Sequence, residues 1–376
     1  MEKLINLMVF DAKIEIYFFG LALLFLFGDF FYGCGRIKII SPPDWVNGES
    51  VDYPREEYLT GVGFGDTRES AEKKAYAALS QIFQANIQSQ SREWEEFLQS
   101  SGQNQIDKNP VVQRKIKIDQ LTQVSTEKVL ENISIAEVWE DQQKKKFFVL
   151  AIINRGHSVQ ILMEKIRDLD KKALELLNNV QNLEQIQNPK GLESKLQIVQ
   201  NLHGALRTVL VRHGLNADLQ IIEPFGRGME SPFSLEKISL RLRKFLEQDL
   251  DVVLEVSGPF QREIRMAFVR SLSQEGFPFI ENQYREDVES LLIKVEFSLF
   301  PLTLQAQPFF NWQVSAILKE KSSGRVFGSL NRNGREGHVN KKEAEARAVR
   351  FAQRVIIKEI GPEISQRIFG DEKNLF

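Results

Sequence analysis

The chain has 376 residues, 42% of them hydrophobic and 27% charged, and its 49 Lys+Arg against 51 Asp+Glu leave a formal net charge of -2. That balance removes the electrostatic case for a nucleic-acid partner, because such binders concentrate positive charge. A single cysteine excludes an intrachain disulfide framework and a dithiol redox pair, so stability has to come from packing.

From Ile16 to Gly28 the sequence reads IYFFGLALLFLFG without a charge. This fits the apolar core of a signal peptide, whereas spanning a bilayer takes roughly 20 apolar residues. Asp29 interrupts any extension, and the sole cysteine follows in Phe31-Tyr32-Gly33-Cys34-Gly35. A thiol placed there is the nucleophile that takes up a diacylglycerol, and the small Gly33 lets a signal peptidase reach the backbone. Residues 1–33 therefore read as a lipoprotein signal peptide, with cleavage between Gly33 and Cys34 and lipidation at Cys34. Three details depart from the usual pattern: Glu2, Lys3, Asp11, Lys13 and Glu15 do not make the leading region clearly positive, Asp29 lies unusually close to the cut, and Phe31 stands where leucine is usual. An uncleaved anchor and a buried N-terminal helix with an inert thiol stay open as other readings. An acylated Cys34 carries two or more fatty chains, of the palmitate type, which suffices for stable anchoring to membrane lipid.

Residues 34–57 form a tether and a Pro/Trp segment, Pro42-Pro43-Asp44-Trp45-Val46. Tyr58 to Gly65, YLTGVGFG, predicts a short strand whose alternate glycines allow close backbone approach. Its likeness to a dinucleotide fingerprint fails on spacing. Asp66 or Thr67 caps the next helix, along which Ala71, Ala75, Ala78, Leu79, Ile82 and Phe83 fall on one face. The polar stretch from Gln84 to Asn109 continues this helix and frays. Ile116 to Trp139 carries alternating β-branched residues and predicts one long or two short strands. After a turn at Glu140 to Lys146, the apolar run Phe147 to Ile153 predicts a buried strand.

The string Pro43-Asp44-Trp45-Val46 after a lipobox, the segment Thr60 to Leu79, and the pair Ile133 to Asp141 and Phe147 to Arg155 resemble the Lpp-twenty family of bacterial outer-membrane lipoproteins. The resemblance covers about residues 42–155. It implies a non-enzymatic, outer-membrane-associated protein with a structural or assembly role, in a family that includes flagellum-associated envelope proteins. Gly35 after the acylated cysteine is similar to outer-membrane-sorted members.

From Val159 the period becomes helical: Val159, Leu162, Ile166, Leu169, Ala173, Leu176, Val180 and Leu183 alternate three and four apart. Asn188-Pro189-Lys190-Gly191 stops that seam, and Leu192, Leu196, Val199, Leu206 and Leu210 begin a second, with His203 in a seam slot. An antiparallel hairpin over 158–213 is the simplest arrangement. The alternative is pairing between chains, a homo-oligomer with the hairpin as its assembly surface.

The last portion, 214–376, predicts helices at Leu235 to Leu246 and Phe260 to Ser273, and strands at Val252 to Val256, Leu291 to Leu302, Phe310 to Glu320 and Gly324 to Asn331. Asn340 to Glu343 reads as a capping box for a closing helix whose buried face is Ala344, Ala348, Phe351, Ala352, Val355 and Ile356. This helix echoes Ala71-Glu72 and Ala75, as a duplicated strand-to-helix unit would. The expected fold is α+β, two sheet-plus-helix lobes (58–157 and 214–376) joined by the hairpin.

His157, His203, His213 and His338 are scattered, and none stands in a nucleophile, zinc or phosphate motif. Asp249, Asp251 and Glu255 flank a strand as a solvated rim. No catalytic residue, metal site or cofactor is expected, and a ligand-binding residue is not identified. The expectation is a non-enzymatic, lipid-anchored envelope protein with a structural, assembly or protein-binding role at the periplasmic face of the outer membrane. The alternative is a ligand-binding or regulatory lipoprotein that modulates an envelope enzyme such as a peptidoglycan synthase. In either case the envelope protein partner is unidentified.

Overall fold

The computed structural model describes residues 41–100, 131–185, 191–275, 277, 290–304 and 307–370. The chain divides at Pro43/Asp44, and Asp44–Phe376 is the second of its two units. The second contains both hydrophobic cores found among the described residues. It is α+β with two separate sheets.

The first lobe comprises β1 (Tyr58–Gly65), α1 (Arg68–Ser100), β2 (Ser134–Asp141) and β3 (Lys146–Asn154). Its sheet has the order β1-β3-β2, antiparallel throughout. Thr67 caps α1, its Oγ1 accepting the Ser70 N–H at 3.2 Å. Ala71, Ala75, Leu79 and Phe83 are fully buried against the sheet, whereas Ile82 is 38% exposed and lies off the packed face. The alternate glycines explain how closely the layers meet: a Cβ on Gly63 would sit 2.2 Å from both the Ala71 carbonyl oxygen and the Ala75 nitrogen. Backbone touches backbone here. Of the strand expected over Ile116 to Trp139, residues 116–130 lie outside the described residues.

Helices α2 (Arg155–Gln185) and α3 (Leu192–Ile222) follow. Arg155 reaches the Ile221 and Ile222 carbonyls, Asp170 pairs with Arg212, and Leu176 lies against Gly204. Partner numbers rise on one helix as they fall on the other, which makes the pair antiparallel. All eight seam residues of α2 are buried or half-buried. The second helix departs from expectation: it continues to Ile222 rather than ending near 213, and it is buried on nearly every side. Leu215, Leu219 and Ile222 belong to the core of the first lobe, and Leu196 to Val211 to that of the second. On α2, Leu162 and Ile166 join the first core and Ala173 and Val180 the second, with Leu169 packed against both. The hairpin is a spine shared by both cores.

The second lobe contains α4 (Leu235–Gln248), β4 (Asp251–Ser257), α5 (Gln261–Gln274), β5 (Ser290–Leu304), β6 (Gln307–Glu320), β7 (Val326–Gly337), α6 (Lys341–Val355), a π-helical turn (Ile356–Ile360) and α7 (Gly361–Phe369). The strand order is β4-β5-β6-β7, with β4 and β5 parallel and the other pairs antiparallel. This order differs from β1-β3-β2, so the echo between α1 and α6 is one of helix-on-sheet packing and not of topology. The capping box is incomplete. Asn340 accepts the Lys342 N–H at 2.9 Å, but the Asn340 N–H donates to His338 Nδ1 at 3.2 Å, and Glu343 turns to Arg350. Phe351 is 38% exposed and lies near Trp312, while Val349 takes a buried place that the pattern had not assigned.

At the start of α3, Gly191 offers no side-chain cap. Glu320, at the end of β6, supplies the acceptor instead, its Oε1 taking the Leu192 N–H at 2.9 Å. Its Oε2 accepts from the Ser323 hydroxyl. The Ser323 hydroxyl first, and then the Leu192 amide, hold the Glu320 carboxyl below the ordinary glutamate value of 4.5. A depressed folded value means that the unfolded chain takes up the proton first as pH falls. The stability Glu320 contributes is therefore complete above pH 4.5 and is lost progressively below it. Glu320→Gln should flatten the fall of Tm on acidification below that pH, as followed by circular dichroism.

Candidate functional site

The described chain enters the first lobe through the turn Asp44–Asn47. Asp44 organises it, accepting the Trp45 N–H at 2.7 Å and the Val51 N–H at 2.9 Å. Trp45 is only 2% exposed, and its indole N–H donates to Glu137 Oε2 on β2 at 2.7 Å. The sequence set this stretch apart as a Pro/Trp segment and gave its tryptophan no role. In the folded protein its tryptophan is an anchor, and the signal for that role was a large aromatic residue behind Pro42-Pro43 in an otherwise polar stretch. Farther along, the rings of Tyr53 and Tyr58 meet edge to face at 5.3 Å. Burial, and then the Glu137 charge, push the Tyr53 hydroxyl pKa up.

Strand alternation determines what this side of the sheet displays. Gly61, Gly63 and Gly65 face α1, so Tyr58, Thr60, Val62 and Phe64 face away from it. Phe64 is paired with Phe148, and Phe148 with Trp139. The ring centroids are 6.2 Å and 5.3 Å apart, so three aromatic rings cross the sheet in one row. The next outward residue of β3, Leu150, is buried, and the turn bearing Trp45 packs on that strand. Beside it the row is open, with Phe64 at 52% exposure and the Lys74 ammonium 4.8 Å from its ring centroid. At the end of the sheet, Asp141 accepts the Gln143 and Lys144 N–H groups at 3.0 and 3.1 Å and pairs with the Lys144 ammonium at 3.5 Å. The Lys144 amide chiefly holds the Asp141 carboxyl below its ordinary value. Lys145 forms the tip of the turn in the left-handed region, at φ 51°.

Gly33 and Cys34 lie outside the described residues. The four histidines do not come together. His157 is exposed at the start of α2, His203 is buried with its ring 5.0 Å from Phe369, His213 is exposed on α3, and His338 serves the α6 cap. Among the described residues no group of His, Cys, Asp or Glu is arranged to hold a metal ion, and no helix is long and apolar enough to cross a membrane. Asp249 ends α4, Asp251 is buried at the start of β4, and Glu255 is exposed.

Residues 43–154 match the family model described as LPP20 lipoprotein, which covers the Trp45 turn and the first lobe. The resemblance seen in the Pro43-Asp44-Trp45-Val46 string and the strands around it thus holds over those residues. Together with the lipobox-like segment before it, the match supports a lipoprotein of the cell envelope. Among solved structures, the secreted protein HP1454 of Helicobacter pylori is similar at 13% identity and a TM-score of 0.33, over 80% of this chain and 96% of that one. A minor lipoprotein from Acinetobacter baumannii is similar at 14% identity and a TM-score of 0.23, over 32% of this chain and 91% of that one. No curated protein matches.

Proposed function

We propose that this protein is anchored through acylated Cys34 at the periplasmic face of the outer membrane, where it acts by structural contact or assembly and not by catalysis. The observation that carries this reading is one of order along the chain: an uncharged apolar run, then Gly33-Cys34, then the LPP20-type segment from residue 43. A flagellum-associated role is one form such an assembly function would take. The second lobe lies outside the family match and supplies surface for an envelope partner.

The test is metabolic labelling of cells with an alkyne analogue of palmitate, followed by membrane fractionation. The wild-type protein should take up label and sediment with outer membranes. Cys34→Ala should take up none and leave that fraction. Equal labelling of both forms, or no labelling of the wild type, would overturn the proposal.

A further inference from the structure

Phe64, Phe148 and Trp139 cross the outward side of the first sheet side by side, with Phe148 and Trp139 half-buried and Phe64 still 52% exposed. Exposed Lys144 and Lys145 and half-buried Lys146 follow at the end of the same sheet. Among the strand residues of this face the carboxylates are already engaged, Glu137 by the Trp45 indole and Asp141 by the turn amides and Lys144, while Asp52 stands in the entry loop near Tyr53. Glu140 belongs to the opposite face by alternation, and Asp66 lies just past the end of β1. Lys145 and Lys146 have no ion pair among the described residues. An apolar aromatic row edged by the free ammonium groups of Lys145 and Lys146, with Lys144 beside them, suits the boundary between acyl chains and anionic headgroups. Aromatic rings favour that depth, and lysine stems lie along apolar surface while their charges reach phosphate.

The chain before the fold supplies the second argument. Cys34 precedes Trp45 by eleven residues, which even fully extended span no more than about 40 Å. Trp45 sits on the same face as the aromatic row, beside Glu137, while α1 covers the other face. A bilayer holding Cys34 is therefore within reach of this face, and Val51, 86% exposed in the connecting loop, adds apolar surface next to it. We infer that the Phe64–Phe148–Trp139 row and the Lys144–Lys146 turn form a second membrane contact that lays the first sheet on an anionic phospholipid surface. The inference rests on the Cys34 reading for the bilayer being at hand.

The experiment omits Cys34, so that its outcome is independent of the labelling result. Residues 44–376, which contain both cores, are sedimented with vesicles of phosphatidylethanolamine and phosphatidylglycerol, or of phosphatidylcholine alone. Binding to the anionic vesicles is expected, weakening by about fivefold for each of Lys144, Lys145 and Lys146 changed to Gln, and by a similar factor in Phe64→Ser. Brominated lipid should quench tryptophan fluorescence, and most of that quenching should vanish in Trp139→Phe. Circular dichroism checks that each variant, including the half-buried Lys146 and Trp139 positions, stays folded. Failure to bind anionic vesicles, equal binding by the lysine variants, or quenching unchanged in Trp139→Phe would each overturn the inference, the last by placing the contact elsewhere.

Discussion

Gly63→Ala is expected to unfold the first lobe, or to destabilise it by about 3 kcal/mol or more, the upper end of what overpacking costs. The new methyl group would lie 2.2 Å from two backbone atoms of α1, and neither can rotate away as the tip of a side chain would. Relief requires moving the helix off the sheet, which opens the contacts of Ala71, Ala75, Leu79 and Phe83 together. Gly191→Ala is the control, since a Cβ there meets nothing within 4 Å and its φ of -103° suits any residue. That variant should stay within about 0.5 kcal/mol of wild type. Urea titration followed by circular dichroism separates the two, and a Gly63→Ala midpoint equal to that of Gly191→Ala would refute the packing argument.

Arg212→Ala should cost about 3 kcal/mol by the same measurement. The Arg212 side chain is 1% exposed, with Nε 3.1 Å from Asp170 and Nη2 donating to the Glu230 carbonyl at 2.5 Å. Truncation empties a space the size of a long side chain and strips two acceptors of their donor. Asp170 retains 21% exposure and can recover some hydration, which keeps the loss toward the lower end for a broken buried pair. Arg212→Met breaks the same pair but fills the space, so it should lose less by the share that the cavity contributes. Equal losses in the two variants would mean that the charge, and not the volume, governs this position.

Much of this architecture was legible from the residues. Ala71, Ala75 and Leu79 at helical spacing, facing glycines at strand spacing, specify a tight helix-on-sheet contact through local geometry alone. The seam from Val159 to Leu183 is likewise a periodic signal. What failed to show was settled by distant partners. β7 runs to Gly337 and not to Asn331 because β6 pairs with it along that polar edge, and Asn333, Arg335 and Gly337 have no strand pattern of their own. The turn Ile356–Ile360 and α7 continue from Ile356, where the buried face expected of the closing helix ended. In the fold Pro362 opens α7, and Ser271 Oγ donates to the Ile356 and Ile357 carbonyls at 3.3 Å. Gly361 is needed there, since a Cβ would lie 1.9 Å from that hydroxyl. The aromatic row was invisible for a similar reason: nothing local says that β3 lies between β1 and β2, and only that order places Phe148 between Phe64 and Trp139.

The sharing of α2 and α3 between the cores has a mechanical consequence. A pull on the N-terminal end of the first sheet passes into two helices whose side chains also belong to the core of the other lobe. Arg155 fastens one end of this strut, holding the last carbonyls of α3. A load applied at one end of the molecule should thus arrive at the other as a displacement, and a protease should find no cut on these helices that frees one lobe while leaving the other whole.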